Sequence, residues 1–306
     1  SSKRTFKMVT TVGIVGTKGG TGKTSTAANL AGLLADMAYR VLLIDADPHA
    51  SLSKYYALSY TAPCGIVEFL LGDLSDQTVA STISKTVYPN LDIVLSNDLS
   101  DDVRFNVQNR VDRALLVRIK MTHPIIKNNY DFVIIDTQGA VGPVQDAVAF
   151  ASTMLITPVK PDVLSVREFI GGTQEALGRL SFGENMNLNV PPLYALIYAK
   201  DRTKDATMLT ESIKEYFNQF VDGRQKLLAT MIPSSKAYKE SATLRVPVHF
   251  HERVHAGKSE SALEMMTHLV FELFPVVRDQ NRKITFFNEM QDLRPSPSED
   301  EKGGAS

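Results

Sequence analysis

Short apolar runs alternate with longer amphipathic stretches along most of the chain. "MVTTVGIVG" (residues 8–16) is a β-branched run that ends in glycine, and a stretch rich in alanine and leucine at helical spacing follows from Lys23. "RVLLIDADP" (residues 40–48) is a second apolar run, and it ends in acidic residues. Because a strand, a helix and a second strand in succession are typical of a βαβ unit, the pattern predicts a parallel sheet.

The same alternation continues to about residue 276. Further strands are predicted at 90–96, 130–137, 152–159 and 193–199, and further helices at 101–121, 205–219 and 258–274. We therefore expect an α/β fold, doubly wound, with a mostly parallel sheet and helices on both faces. Residues 9–276 form the predicted domain, residues 1–8 a short polar arm, and residues 277–306 a C-terminal extension. Its last stretch, "RPSPSEDEKGGAS", predicts disorder because it is rich in proline, serine, glycine and acidic residues.

Composition narrows the class of protein without indicating a partner. The 306 residues are 43% hydrophobic and 22% charged, with a formal net charge of -1, so any surface for nucleic acid must be a local patch. The single cysteine, Cys64, excludes a disulfide framework. Neither an apolar run of about 18 residues nor the apolar block of a signal peptide is present in this sequence. We expect a cytoplasmic protein.

The stretch "GTKGGTGKTS" (residues 16–25) lies between the first predicted strand and the first predicted helix. A glycine-rich turn in this position lets backbone N–H groups approach phosphate oxygens at a helix N-terminus, and Gly19, Gly20 and Gly22 permit that close approach. In such a phosphate-binding loop Lys23 contacts the β- and γ-phosphates, and the Thr24 hydroxyl binds Mg²⁺. The loop departs from the strict G-x-x-x-x-G-K-[ST] pattern at Thr17 and carries a second lysine, Lys18.

Acidic residues end two of the other predicted strands. Asp45 and Asp47 follow "LLI", and Asp136 follows "YDFVII". Ligands of open α/β sheets bind at the carboxyl ends of the strands, so these carboxylates are expected near the loop, where they can hold Mg²⁺ or orient a water molecule. An apolar strand that ends in Asp136 has the form of a Walker B acid. Gln138 and Gly139 follow, where a segment that senses the γ-phosphate is expected.

KGGTGKTS, IDADP and VIIDT together resemble the deviant Walker A class of P-loop ATPases, and in particular the ParA type that partitions plasmids and chromosomes. The resemblance runs from about residue 9 to about residue 276 and includes "LITPVKPDVLSV", "YAKDRT" and "MIPSSKAYKES". It implies that Lys18 reaches across a dimer to the ATP of the partner, which also accounts for Thr17. Asp47 is implied as the residue that orients the attacking water, and Asp45 and Asp136 as the acids around Mg²⁺.

The resemblance therefore implies an ATPase with ATP and Mg²⁺ as cofactors. Catalytic roles are implied for Lys18, Lys23 and Asp47, and metal-binding roles for Thr24, Asp45 and Asp136. The nucleotide-binding residues implied are Lys18, Gly19, Gly20, Thr21, Gly22, Lys23, Thr24 and Ser25. ATP would drive formation of a homodimer that binds double-stranded DNA without sequence preference, and a centromere-binding protein of the ParB type would stimulate slow hydrolysis.

Two departures from the family pattern and a modest basic region qualify these roles. His49 stands where glutamine is usual and Gln138 where proline is usual, and both lie in switch-like segments that affect hydrolysis more than nucleotide binding. Residues 200–245 hold nine Lys/Arg and six Asp/Glu. The candidate DNA contacts in that region are Arg202, Lys204, Lys236, Lys239 and Arg245, a set that suits weak, salt-sensitive binding to phosphates.

Three other interpretations remain open from the sequence. A membrane-associated ATPase of the MinD type would need a basic amphipathic C-terminal helix, and "RKITFFNEMQDL" (residues 282–293) has some apolar character but ends in acids. Stable membrane association is therefore not expected. A scaffold that binds nucleotide with little turnover is the second alternative. Finally, "HFHERVH" places three histidines at spacings that can bind zinc, although a polar surface loop is the favoured interpretation.

Overall fold

The structure is a computed structural model that describes residues 8–16, 22–139 and 141–290. The predicted disordered tail and residues 1–7 of the predicted arm lie outside the described residues. So do Thr17, Lys18, Gly19, Gly20 and Thr21 of the predicted phosphate-binding loop.

A nine-stranded sheet forms the centre of the described part of the chain. Its strands are β1 (Thr10–Ile14), β2 (Val41–Ala46), β3 (Leu58–Tyr60), β4 (Ile83–Thr86), β5 (Leu91–Val94), β6 (Phe132–Thr137), β7 (Met154–Val159), β8 (Leu193–Ile197) and β9 (Gln225–Leu227). They are ordered β3-β4-β5-β2-β6-β1-β7-β8-β9. Only the β3–β4 and β4–β5 pairs at one edge are antiparallel. The predicted mostly parallel, doubly wound fold is confirmed.

Helices cover both faces of this sheet. They are α1 (Lys23–Asp36), α2 (Ile66–Leu71), α3 (Asp76–Ala80), α4 (Asp102–Gln108), α5 (Leu116–Thr122), α6 (Pro124–Asn129), α7 (Pro143–Ala151), α8 (Val163–Asn185), α9 (Lys204–Asn218), α10 (Lys236–Leu244), α11 (Val248–His251), α12 (Ala262–Leu273) and α13 (Pro275–Gln280). Short 3-10 turns occur at Leu52–Lys54 and Arg113–Leu115. In the segment Phe286–Met290, residues 287–289 have left-handed backbone conformations.

Alternate residues of the central strands pack into two separate hydrophobic clusters. In β2, Val41 and Leu43 join α1, α12 and α13 on one face, whereas Leu42 and Ile44 join α2, α4, α5 and α7 on the other. Successive side chains of a strand point to opposite faces, so a strand that is apolar at every position is buried on both sides. Each strand predicted from an apolar run lies within its predicted range.

The prediction of one continuous helix at 101–121 is wrong. Two helices, α4 and α5, are separated by residues 109–115. Arg113 Nη1 donates to the Gln108 carbonyl at 3.1 Å near the end of α4, and Val111 is fully exposed, so the segment buries no continuous apolar face. The predicted helix at 258–274 begins later, at Ala262. There Ser261 and Glu264 form a reciprocal capping box that fixes the first turn.

The interpretation of "HFHERVH" as a surface loop is wrong for His249, which is completely buried in α11. His251 is half-buried with its Nε2 3.0 Å from Glu240 Oε2, and the exposed His255 accepts a hydrogen bond from the Gly257 N–H at 3.0 Å. The three histidines thus have separate partners.

In the C-terminal extension, Phe287 is also buried in the main hydrophobic cluster. None of the described helices is both long and apolar enough to cross a membrane.

Candidate functional site

Three neighbouring parallel strands bring the predicted acids to one edge of the sheet. Asp45 of β2 is paired in register with Asp136 of β6, and Asp136 is in turn paired with Ile14 of β1. The α1 helix begins close by at Lys23, after Gly22 in the left-handed conformation with φ 77°. The topology therefore places the start of α1 and both carboxylates at a single location, the carboxyl end of the sheet, where open α/β sheets bind ligands.

A short hydrogen bond joins the start of α1 to β6. The Thr24 hydroxyl donates to Asp136 Oδ2 at 2.7 Å. Lys23, the preceding residue, is only 4% exposed. Burial lowers the pKa of Lys23, and the negative charges of Asp136 and Asp47 partly oppose that shift. A lysine, a hydroxyl and a carboxylate are thus held together in a protected position.

Asp136 has one carboxylate oxygen with a hydrogen bond and one without. Its Oδ1 atom is buried and has no hydrogen-bond partner among the residues that the structure describes. Burial raises the pKa of Asp136 to about 7, against the opposing effect of the Thr24 hydrogen bond. Since Mg²⁺ prefers oxygen ligands and is usually held by one or two carboxylates, the pair formed by Thr24 and Asp136 fits that ion.

Asp45 organises the loop that follows β2. Its Oδ1 accepts the Asp47 N–H at 3.1 Å, and its Oδ2 accepts both the Ser53 N–H at 2.8 Å and the Ser53 hydroxyl at 2.6 Å. The Ser53 hydroxyl in turn accepts the Ser96 N–H at 2.8 Å. Burial raises the pKa of Asp45 to about 6, while the Ser53 hydrogen bonds oppose the shift. Both oxygens of Asp45 therefore accept hydrogen bonds from the loop that carries Asp47. Asp136, in contrast, has one oxygen without a hydrogen-bond partner among the described residues.

Asp47 is half-buried beside His49. Its Oδ1 accepts the backbone N–H of His49 at 3.0 Å and lies 2.9 Å from His49 Nδ1. The His49 side chain itself is exposed, at 79%. The residue that departs from the family pattern is consequently in direct contact with the residue implied to orient the attacking water.

Two polar contacts that were not predicted from the sequence connect β1 to the segment after Asp136. The Thr137 hydroxyl donates to the Ile14 carbonyl at 2.8 Å, and Gln145 Nε2 of α7 donates to the Gly16 carbonyl at 3.2 Å. Both side chains are buried. The role of Thr137 could have been predicted from its position directly after Asp136. The local sequence around Gln145 gave no indication that this residue contacts the end of β1.

A mostly apolar cavity of about 290 Å³ adjoins the start of α1. Its lining includes Gly22 just before α1, Ser25 and Asn29 of α1, Tyr198 just after β8, and Pro233. Small-molecule sites are typically concave and mostly apolar, with a few polar groups at the edge. The cavity therefore has the lining of a small-molecule site and lies beside the start of α1.

The candidate DNA contacts are not gathered on one uniformly basic surface. Arg202 and Lys236 line a second groove, of about 520 Å³, which also contains acidic side chains, namely Asp201, Glu240, Glu252 and Glu260. Lys239 lines the first cavity, and Lys204 is exposed at the start of α9. Arg245, just after α10, donates to the Lys54 carbonyl through Nε at 3.2 Å and Nη2 at 3.0 Å.

The chain matches known proteins over the part that builds this site. A family model described as an AAA domain matches residues 9–174, more than half of the chain. The sporulation initiation inhibitor protein Soj of Bacillus subtilis is 26% identical over 243 residues, covering 79% of this chain and 90% of Soj. A probable plasmid-partitioning protein ParA of Thermus thermophilus is 30% identical over 181 residues, covering 59% of this chain and 54% of that protein.

Other relatives are considerably longer than the matched segment. A putative replication protein A of Rhizobium rhizogenes is 32% identical over 188 residues, and the match covers 57% of this chain but only 46% of that protein. Among solved structures, a McdA–ATP complex from Cyanothece superposes with a TM-score of 0.69 at 19% identity, covering 90% of this chain and 98% of that chain. The chain therefore belongs to the family that the AAA domain model describes, and it is a ParA-type P-loop ATPase.

Proposed function

We propose that this protein is an ATP-dependent DNA-partitioning ATPase. The contact between Thr24 and Asp136 carries the proposal, because it joins the start of α1 to a buried carboxylate that has one oxygen without a hydrogen-bond partner among the described residues. The family membership and the names of the Soj and ParA relatives point in the same direction.

The nucleotide and its metal ion take separate parts of the site. Lys23 and the backbone of the loop hold the phosphates at the N-terminus of α1, and the base occupies the cavity next to Gly22. Thr24 and Asp136 would hold Mg²⁺, which would neutralise charge on the phosphate oxygens. Asp45 acts on the reaction indirectly, because its hydrogen bonds fix the loop that positions Asp47.

Hydrolysis transfers the γ-phosphoryl group to water. A bond forms between the water oxygen and the γ-phosphorus, the bond to the β–γ bridging oxygen breaks, and ADP and inorganic phosphate result. Asp47 orients the water, and the contact between Asp47 and His49 restrains that carboxylate. Slow intrinsic turnover is expected, since an added cationic group can accelerate phosphoryl transfer by about 10³–10⁵-fold.

ATP binding drives assembly and DNA binding. Lys18 of each subunit contacts the ATP of the other, so a homodimer forms only with ATP. The dimer then binds double-stranded DNA through phosphate contacts that include Arg202, Lys204, Lys236, Lys239 and Arg245. Because the dimer presents two copies of a weakly basic surface, it binds DNA more strongly than the monomer does, without sequence preference. A centromere-binding partner of the ParB type stimulates hydrolysis and releases the DNA.

The deciding experiment is retention of the protein on a non-specific DNA duplex with ATP, with ADP and without nucleotide, across a series of salt concentrations. The proposal predicts retention only with ATP and a steep loss of binding as salt increases. Binding that does not depend on nucleotide, or no binding at all, contradicts it and favours the scaffold or the membrane-associated alternative. Vesicles with anionic lipids, tested under the same three nucleotide conditions, distinguish those two.

A further inference from the structure

The aromatic ring of Tyr198 lies against Gly22 and also lines the cavity beside α1. Tyr198 follows β8, and its N–H donates to the Val159 carbonyl at 3.1 Å, so its backbone continues the sheet. Its ring lines the 290 Å³ cavity. The same ring lies directly against Gly22, the residue that precedes α1.

The contact between the ring and Gly22 leaves no room for a side chain. A Cβ atom on Gly22 would lie 2.7 Å from Cε2, 2.8 Å from Cδ2 and 2.9 Å from Cζ of Tyr198. Gly22 also has a φ of 77°, a conformation that residues with side chains rarely adopt. The loop backbone can therefore hold this position only with glycine at residue 22, and it is in direct contact with the ring.

The ring also has little freedom to move independently. It is half-buried and packs against the main hydrophobic cluster, and burial raises the pKa of its hydroxyl to about 12. A flat group that enters the cavity can contact both the ring and Gly22, because both residues line it. Stacked aromatic groups stabilise each other beyond the effect of the area that they bury.

We propose that Tyr198 is a positioning residue through which a nucleoside base in the cavity stabilises the left-handed conformation of Gly22 at the start of α1. The proposal rests on the proposed function, because it concerns the same nucleotide site. It identifies the ligand class as a nucleoside triphosphate whose base and phosphates bind cooperatively. A bare polyphosphate, which leaves the cavity without an aromatic group, should bind more weakly.

The test compares ATP with inorganic tripolyphosphate by titration calorimetry in Mg²⁺. The wild-type protein should prefer ATP, and Tyr198→Ala should reduce the ratio of the two affinities at least tenfold. Tyr198→Phe keeps the ring and should retain most of that ratio. If Tyr198→Ala weakens both ligands equally, the ring has only a structural role in the loop and the proposal is overturned.

A second variant keeps the proposal testable if Tyr198→Ala does not fold. The chain contains no tryptophan, so Tyr198→Trp introduces a single fluorescent reporter at this position. Its emission should shift more with ATP than with tripolyphosphate, whereas equal shifts contradict the proposal. If the wild-type protein binds no ATP, the proposed function itself fails. If it binds and hydrolyses ATP while Tyr198→Ala keeps the wild-type affinity ratio, only the role of Tyr198 is lost.

Discussion

His249 Nε2 lies 2.7 Å from Asp36 Oδ2, and both side chains are completely buried. Asp36 is the last residue of α1, the helix that begins at Lys23 in the nucleotide site. Its other oxygen, Oδ1, accepts hydrogen bonds from the Thr285 hydroxyl at 2.7 Å and from the Phe287 N–H at 2.8 Å. One carboxylate therefore attaches both α11 and the C-terminal segment to the far end of α1.

Removal of either side chain should strongly destabilise the fold. Loss of one partner of a buried hydrogen bond leaves the other polar group unsatisfied and typically costs about 1–3 kcal/mol. Asp36→Ala and His249→Ala should each lower the free energy of unfolding by an amount in that range, measured by urea denaturation. The double variant should lose less than the sum of the two single losses, because the residues are in contact.

The exposed pair of Arg110 and Asp112 provides the control. The two side chains are 41% and 43% exposed, and Arg110 Nε lies 2.8 Å from Asp112 Oδ1. Exposed ion pairs contribute about 0–1 kcal/mol, so Asp112→Ala should change stability little. A loss from Asp36→Ala as small as that from Asp112→Ala would show that the buried carboxylate does not hold these segments together.

The central strands and the location of the site were predictable because they depend on local patterns. An apolar run that ends in Asp45 or Asp136 places an acid at a strand end whatever the rest of the chain does. Parallel pairing of neighbouring strands then brings the acids together. The edge strands β3 and β9 and the neighbouring strand β4 were missed, since each has only three or four residues and carries no strong apolar pattern.

Long-range packing was not predictable from the sequence. His249 lies in a polar-looking stretch, and its burial depends on Asp36, 213 residues earlier in the chain. Tyr198 was recognised only as part of a predicted strand and of the stretch "YAKDRT", because its contact with Gly22 requires the full sheet order. Likewise, the hydrogen bonds to Asp45 depend on where the loop that carries Ser53 folds back towards β2.

The pair formed by Thr24 and Asp136 should control the use of Mg²⁺. Thr24→Ala and Asp136→Asn should each reduce Mg²⁺-dependent ATP affinity by about 10–100-fold, the range found when a group at or near a bound metal is lost. Titration of ATP with Mg²⁺ and with a chelator measures this effect. Thr173→Ala, at a buried threonine of α8, is the control and should bind like wild type. Equal ATP affinity of Thr24→Ala with and without chelator, at the wild-type level, contradicts the assignment.

Asp47 should affect turnover far more than nucleotide binding. Asp47→Ala should lower kcat by about 10²–10⁴-fold, the usual contribution of a positioned acid–base group, while ATP affinity stays close to the wild-type value. His49→Ala should have a smaller effect in the same direction, because His49 contacts Asp47 Oδ1. Phosphate release at saturating ATP measures both, and His255→Ala, at an exposed histidine, is the control. If Asp47→Ala hydrolyses ATP at the wild-type rate, the proposed mechanism is wrong.

The two lysines of the loop should have separable roles. Lys18→Gln should retain ATP binding by the monomer but lose ATP-driven dimerisation, because the missing charge serves the nucleotide of the partner. Lys23→Gln should lose ATP binding itself. Light scattering with ATP and with ADP, combined with a nucleotide titration, distinguishes the two variants. Normal dimerisation of Lys18→Gln would refute the role given to Lys18.

Among the candidate DNA contacts, the lysines without a charged partner should contribute most. Lys204 and Lys236 are exposed and form no ion pair with the residues that the structure describes, whereas the Arg245 guanidinium already donates to the Lys54 carbonyl. Each phosphate contact that is lost should reduce the slope of log affinity against log salt by about one. Lys204→Ala and Lys236→Ala should therefore lower the slope more than Arg245→Ala does.

Lys214 is the matched control for this comparison, because it lies on α9 with Lys204 but is paired with Glu211 at 2.7 Å. Lys214→Ala should leave the salt slope of the ATP-bound protein unchanged. DNA affinity at several salt concentrations, measured by fluorescence anisotropy of a labelled duplex, gives all four slopes. If Lys214→Ala lowers the slope as much as Lys204→Ala, binding follows overall charge and not the surface at the start of α9 and α10.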